Sequence, residues 1–125
     1  MLITIDHHSG VPVFRQIMDQ VKFHIASGLI GPEDQLPSTR SLSTELGLNP
    51  MTVSKAYSLL EAEGVVEHRR GRPLTVRARP EPEMRASRIE QLQPQLKALA
   101  IRARQLGLSR KQVIGLLREA MRETG

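Results

Sequence analysis

The sequence predicts a mainly α (α+β) protein in which three helices are followed by a two-stranded hairpin and two more helices. Apolar residues recur every three or four positions in three segments before residue 64 and two after residue 87. Between them, two short runs rich in valine flank an arginine-rich turn. At 125 residues, the chain has room for about one domain and an appendage. We therefore expect one domain at residues 1–78 and a helical tail at residues 84–125.

The composition favours a folded protein with a polyanionic partner. Hydrophobic residues make up 39% and charged residues 25% of the chain, as in ordinary globular proteins. Lysine and arginine number 18 against 13 acidic residues, and the resulting charge of +5 suits a nucleic acid but also occurs in other proteins. Aromatic residues are only 2%, too few for the stacking platforms of single-strand binders. Duplex DNA is therefore the favoured nucleic acid.

Compartment and redox chemistry are also constrained by the sequence. Cysteine is absent, which excludes disulfides, thiolate metal sites and a cysteine nucleophile and fits a reducing compartment. The first residues, MLITIDHHSG, lack the basic start and apolar run of a signal peptide, and no apolar stretch reaches membrane-spanning length. We expect a cytoplasmic location.

The first element is predicted to be a strand and the second a helix. Alternating β-branched residues at Met1–Asp6 predict a short edge strand. Helical spacing of apolar residues begins at Val13, and Gly28 or Gly31 ends this helix before Pro32.

Two further helices follow with little chain between them. Ser38 offers an N-cap hydroxyl to the second helix, and Gly47 closes it. Asn49 caps the third helix, and Pro50 takes the first helical position, where a missing N–H costs nothing. This spacing is typical of a helix-turn-helix.

The third helix has two faces of opposite character. On a wheel of about 100° per residue, one side carries Val53, Ala56, Tyr57 and Leu60. The other side carries Met51, Ser54, Lys55 and Ser58. We expect the first set to be buried and the second to form an outward ridge.

A basic hairpin is predicted after the third helix. Val65–His68 and Leu74–Val76 have the composition of strands, and Arg69–Pro73 joins them. Residues 68 to 79 include five arginines and no acidic residue, so we expect the tip to meet a phosphate backbone. The pattern indicates a winged helix-turn-helix, whose third helix enters a major groove beside the hairpin. The alternative is a small α+β domain with a merely solvated polar face.

The tail is predicted to be a two-helix hairpin that dimerises. Ala78–Glu83 forms a proline-rich linker, and a capping box at Ser87 opens a helix that Pro94 should kink or restart. Gly107 ends it, and a second capping box at Ser109 opens the last helix. The residues expected to face inward are Val113, Leu116, Leu117, Ala120 and Met121. Two helices of this size cannot bury both apolar stripes on each other, so we expect self-association.

The segment LPSTRSLSTELGLNPMTVSKAYSLLEAEGVVEHRRGR resembles the winged-helix DNA-binding domain of GntR-type transcription regulators. SGVPVFRQI and the Asn-Pro before the third helix are similar to the YtrA-type subfamily, whose members add a short helical dimerisation tail. The resemblance spans Leu2 to Val76, and the tail agrees in size and pattern. It implies a sequence-specific regulator of transcription, with repression the favoured sign, that binds an inverted-repeat operator in double-stranded DNA as a homodimer.

The resemblance also implies which residues bind DNA. They are Ser38, Arg40, Asn49, Met51, Thr52, Ser54, Lys55, Arg70, Gly71 and Arg72. Many family members have Gly-x-Gly-Thr-Phe in the wing, whereas here Gly71 precedes Arg72-Pro73-Leu74-Thr75. A Gly-Lys-Pro wing also occurs in the family, so the wing chemistry is kept and the tip conformation is left open.

Other function classes find little support in the sequence. The histidines at positions 7, 8, 24 and 68 include no pair with ligand spacing, so we expect no metal and no cofactor. No phosphate loop, nucleophile elbow or Ser/His/Asp signature indicates an enzyme. The tail has 9 basic and 5 acidic residues after Pro80, which keeps one alternative open. That alternative is a helical protein–protein interaction module whose head does not read sequence. The operator, the regulated genes and any small-molecule effector are not indicated.

Overall fold

A computed structural model describes all 125 residues and confirms the predicted order of helices and hairpin. The elements are α1 (Val13–Ala26), α2 (Thr39–Leu46), α3 (Pro50–Ala62), β1 (Val66–Glu67), β2 (Thr75–Val76), α4 (Glu81–Gln105) and α5 (Arg110–Thr124). The chain divides into two compact units, Met1–Gln91 and Leu92–Gly125, and the boundary falls within α4. None of the helices is both long and apolar enough to span a bilayer.

The boundaries of α2 and α3 follow from their capping residues. The Ser38 hydroxyl accepts a hydrogen bond from the Ser41 N–H at 3.0 Å. Asn49 Oδ1 accepts one from the Met51 N–H at 2.9 Å. Gly47 ends α2 with φ 66°, a left-handed conformation that residues with a Cβ adopt only with strain. The local signals read from the sequence are therefore sufficient to fix this turn.

The core of the first unit lies behind α3. The four residues predicted to be buried, Val53, Ala56, Tyr57 and Leu60, are all buried, and they pack with Ile17, Val21, Ile25 and Leu42. The Tyr57 hydroxyl also donates a hydrogen bond to the Pro37 carbonyl at 2.8 Å. Burial, and to a smaller degree the Glu45 carboxylate, raises the pKa of Tyr57 above its ordinary value. The phenol therefore stays a donor and ties α3 to the segment that precedes α2.

The wing hairpin is joined to that same segment. β1 pairs antiparallel with β2, with Val66 opposite Val76. Gln35 forms a bridge to Thr75, and the Leu36 N–H donates to the Leu74 carbonyl at 2.8 Å. The chain leading into α2 is thus a third line of backbone pairing, and it sets the position of the wing relative to the helix-turn-helix.

The predicted N-terminal edge strand is wrong. Met1–Asp6 pairs with no other strand. Its partners are glutamine side chains of α1: Gln20 exchanges two hydrogen bonds with the backbone of Thr4, at 2.9 and 2.7 Å. Gln16 does the same with Asp6, at 2.8 Å in both bonds. A primary amide has an acceptor oxygen and N–H donors, as a peptide group does. It can therefore supply the hydrogen bonds that the backbone of a neighbouring strand would supply.

The start of the first tail helix was also predicted incorrectly. α4 begins at Glu81, so the expected linker at Ala78–Glu83 is helical in its second half and Ser87 lies inside the helix. Pro82 stands in the first turn, where its missing N–H has no intrahelical partner to lose, and flanking glutamates favour the positive end of the helix dipole. The helix also continues through Pro94 rather than restarting there.

The second unit leaves most of its large apolar side chains exposed. The capping box of α5 is confirmed, with bonds between Ser109 and Gln112 of 2.9 and 3.2 Å. No residue of α5 is buried, and Leu116 is 56% exposed. The two helices flank an open apolar groove of about 260 Å³ lined in part by Leu99, Leu106 and Leu117. The predicted inward stripe of α5 is therefore not enclosed within this unit.

We predict that Gly47→Ala lowers the free energy of unfolding by about 1 kcal/mol, because alanine must adopt the strained left-handed conformation. A Cβ at Gly47 meets no atom within 4 Å, so the cost is conformational rather than steric. Urea titration followed by circular dichroism measures the change. Gly31→Ala, at a glycine outside the left-handed region, is the matched control. An unchanged midpoint for Gly47→Ala contradicts the prediction.

Candidate nucleic-acid interface

The outward ridge of α3, formed by Met51, Ser54, Lys55 and Ser58, is solvent-exposed along its length. Met51 is 76% exposed, an unusual state for a methionine in a folded domain. Hydroxyl, ammonium and thioether groups are suited to base edges, phosphates and thymine methyl groups. The ridge has the chemistry of a groove-reading surface, while its contacts with DNA remain a prediction.

Lys55 is oriented by an aromatic ring of α1. Its Nζ lies 4.0 Å from the centroid of the half-buried Phe14 ring. A cation over a ring face is attracted by the ring quadrupole, and such pairs contribute about 0.5–1 kcal/mol at exposed sites. Phe14 was not identified from the sequence as part of the site, since its helical spacing marks it only as a core residue.

Three predicted site residues lie at helix N-termini. Ser38 and Asn49 use their side-chain oxygens as caps, which leaves the Ser38 hydroxyl hydrogen and the Asn49 amide hydrogens available as donors. Thr52, in the first turn of α3, is half-buried. Helix N-termini favour anions because their first N–H groups point outward. These positions are therefore suited to phosphates as well as to capping.

The arginines predicted to bind DNA are exposed and form no ion pair. Arg40 on α2, and Arg70 and Arg72 on the wing, form no ion pair in the structure. Charge left unpaired on a surface is available to a polyanion. Unpaired positive charge is therefore available both at the start of the helix-turn-helix, from Arg40, and on the wing, from Arg70 and Arg72.

The wing tip, whose conformation the sequence left open, is a tight turn. The Arg72 N–H donates to the Arg69 carbonyl at 2.9 Å. Gly71, the third residue of this turn, has φ 73°, as a type II turn requires. Pro73 follows the turn and is exposed. Gly71 therefore allows the tight turn, and the arginines on either side of it are exposed.

The base of the wing is linked to α3 by hydrogen bonds between His68 and Glu61. His68 Nδ1 lies 2.7 Å from Glu61 Oε2, and the His68 N–H donates to the same oxygen at 3.2 Å. Hydrogen bonding from the His68 side chain holds the pKa of Glu61 below its ordinary value. No group of three or more His, Asp or Glu side chains is arranged to hold a metal ion.

Comparison with known proteins places residues 14–76 in the family described as "Bacterial regulatory proteins, gntR family". The HTH-type transcriptional repressor YtrA of Bacillus subtilis (strain 168) is 38% identical over 107 residues, which cover 86% of this chain and 82% of that protein. YtrA from Sulfolobus acidocaldarius, a GntR-family transcription factor, is a solved structure with 32% identity, 97% coverage of both chains and a TM-score of 0.59. AraR(DBD) in complex with operator ORX1 shares the fold, with 20% identity and a TM-score of 0.53 over 61% of this chain and 95% of that one.

We predict that Phe14→Leu removes the ring-current shift of the Lys55 ε-methylene protons, because the ammonium then has no ring face to lie over. Proton NMR of the DNA-free protein measures this shift. Leucine keeps the apolar packing of α1, so the fold should persist in circular dichroism. Identical ε-methylene shifts in the two proteins would show that Lys55 does not occupy this position in solution.

Proposed function

The chain belongs to the gntR family of bacterial regulatory proteins, and from that premise we propose that it reads a specific operator in double-stranded DNA. The resemblance seen in the sequence is confirmed, and the chain is a DNA-binding transcription regulator and not an enzyme. The similarity to YtrA over most of the chain also supports assignment to the YtrA-type subfamily.

The observation that carries the proposal is the division of α3 into a buried back and an exposed ridge. Four buried side chains hold the helix from behind, so the ridge is presented as a rigid row that can enter a major groove. Arg40 and the wing arginines flank this row with unpaired charge. We propose that the ridge reads base edges while the flanking residues contact phosphates. The full proposed set is Ser38, Arg40, Asn49, Met51, Thr52, Ser54, Lys55, Arg70, Gly71 and Arg72.

The tail supports a homodimer as the DNA-binding form. Leucines of the second unit remain about half exposed, and apolar surface of this extent is normally covered by a partner. Pairing two identical tails by a twofold axis would present two heads to an inverted repeat. The relative YtrA is named a repressor. Repression is therefore the proposed sign, since a bound dimer near a promoter blocks polymerase. We place the protein in the cytoplasm, where its target DNA would lie.

The tail could instead bind a different protein, which keeps the interaction-module alternative testable. The observation favouring it is the excess of basic over acidic residues after Pro80, 9 against 5. An effector of this regulator is not identified. The oligomeric state and the response to duplex sequence separate the two proposals.

We predict that Lys55→Ala and Arg40→Ala each weaken binding to duplex DNA by about fivefold or more, since removing a side chain that binds a base or phosphate costs roughly 1–3 kcal/mol. The probe is a duplex selected by the wild-type protein from a random pool, and binding is followed by fluorescence anisotropy. The negative slope of log affinity against log salt should become shallower by about 0.9 for each phosphate that the variant no longer neutralises. Arg122→Ala, in the last turn of α5, is the equal-charge control. Wild-type affinity in either variant removes that residue from the interface.

A second prediction concerns the tail. Leu116→Glu should convert a dimer into a monomer, because burying a leucine at an interface contributes about 1.5–3 kcal/mol and a buried unpaired carboxylate opposes association. Sedimentation equilibrium measures the mass. Leu29→Glu, the same change at a 65% exposed leucine of the head, is the control. A monomeric wild type, or an intact Leu116→Glu dimer, contradicts the proposed role of the tail.

A further inference from the structure

Glu33 is the one residue other than glycine with a left-handed backbone, at φ 75°. An L-residue in this region is strained, because its Cβ crowds the backbone. Strain of this kind persists only where the surrounding structure holds it, and it concentrates at functional positions. Glu33 lies in the segment before α2 and is not among the predicted DNA-binding residues, so its strain calls for a separate explanation.

Both the backbone and the side chain of Glu33 are held by the wing hairpin. Its N–H donates to the Val76 carbonyl at 3.0 Å, and the Val76 N–H donates back to the Asp34 carbonyl at 2.8 Å. Its two carboxylate oxygens accept from the two terminal nitrogens of Arg69, with Nη2 to Oε1 at 2.8 Å. The strained residue therefore joins the strand and the turn of the same hairpin.

Arg69 is held on a second side by Glu67. Its Nη2 donates to Glu67 Oε1 at 2.8 Å, and its Nε donates to the same oxygen at 3.0 Å. A guanidinium that binds two carboxylates in this way is fixed in orientation. Hydrogen bonding to Arg69 holds the pKa of Glu33 below its ordinary value, and the two carboxylates raise the pKa of Arg69. Glu33 and Arg69 therefore stay ionised at neutral pH.

This cluster, which we call the wing clamp (Glu33, Glu67 and Arg69), lies at the start of the wing turn. The Arg69 carbonyl accepts the hydrogen bond that closes the turn around Arg70 and Gly71. With its fork occupied by carboxylates, the Arg69 side chain has few donors left for a phosphate. Arg70 and Arg72 form no ion pair of this kind and stay exposed, and Arg72 has only a weaker charge attraction to Glu33.

We infer that Glu33 and Arg69 are positioning residues, which hold the wing turn so that Arg70 and Arg72 can contact DNA. This inference rests on the proposed function. The change in DNA affinity that it predicts on removal of the Glu33 carboxylate is opposite in sign to the change expected from charge alone. Removing a carboxylate near a DNA-binding surface should strengthen binding to a polyanion by charge alone. Loss of positioning weakens it, because the turn must then be ordered on binding.

The test uses the full chain with Glu33→Gln and Glu33→Gly. Glutamine removes the charge of the clamp, and glycine also relieves the left-handed strain, so Glu33→Gly should keep or raise thermal stability. Both should weaken binding to the wild-type-selected duplex by about fivefold or more, the equivalent of ordering roughly one residue. Glu63→Gln is the matched control, because it removes the same charge from a surface ion pair with Lys22 on α1. It should leave affinity unchanged or slightly raised.

A measurement without DNA separates this inference from the proposed function. Amide hydrogen exchange at Arg72, whose N–H closes the turn, should be several-fold faster in Glu33→Gln than in the wild type and unchanged in Glu63→Gln. Equal or tighter duplex binding by Glu33→Gln, or unchanged exchange at Arg72, overturns the positioning role. A wild-type protein that distinguishes no duplex sequence overturns the proposed function instead, and the exchange result still decides whether the clamp orders the wing.

Discussion

The burial of the back of α3 is the constraint on which the rest of the molecule depends. Each apolar side chain fully removed from water contributes about 1.5–3 kcal/mol, and Val53 and Leu60 are completely buried. This packing fixes the rotation of α3 about its own axis. A helix has only one opposite face, so fixing the back determines which side chains form the outward ridge. The side chains that α3 presents to solvent are therefore determined by the packing of its buried face.

The short segment before α2 connects the three parts that a winged helix-turn-helix must hold in register. Pro37 accepts the hydrogen bond from Tyr57 of α3, Ser38 caps α2, and Leu36 pairs with the hairpin. Glu33 extends the same connection to the wing turn through Arg69. A single exposed ion pair adds little to the free energy of folding. Here the pair between Glu33 and Arg69 orients the wing turn, because a gain in stability alone does not account for the strained backbone of Glu33.

The features that were predictable from sequence are those encoded locally. Caps and helical spacing determine α2 and α3, because Ser38 and Asn49 act within three residues of their own positions. The N-terminal strand was predicted wrongly because its partners are Gln16 and Gln20, and no pattern in the strand itself reveals a side-chain partner. The wing clamp could not be predicted, since it joins residues 36 apart in the chain and depends on a left-handed glutamate. The start of α4 differs from the prediction because Pro82 lies in a first turn, where a proline does not interrupt a helix.

We propose that the outward ridge of α3 enters the groove of duplex DNA. The most direct measurement is the change in backbone amide chemical shifts of the ¹⁵N-labelled protein when a selected duplex is added. We expect the largest changes at residues 49–58 and 70–72, with residues 110–124 of α5 unaffected. Changes confined to α4 and α5, with the α3 amides unmoved, would contradict it.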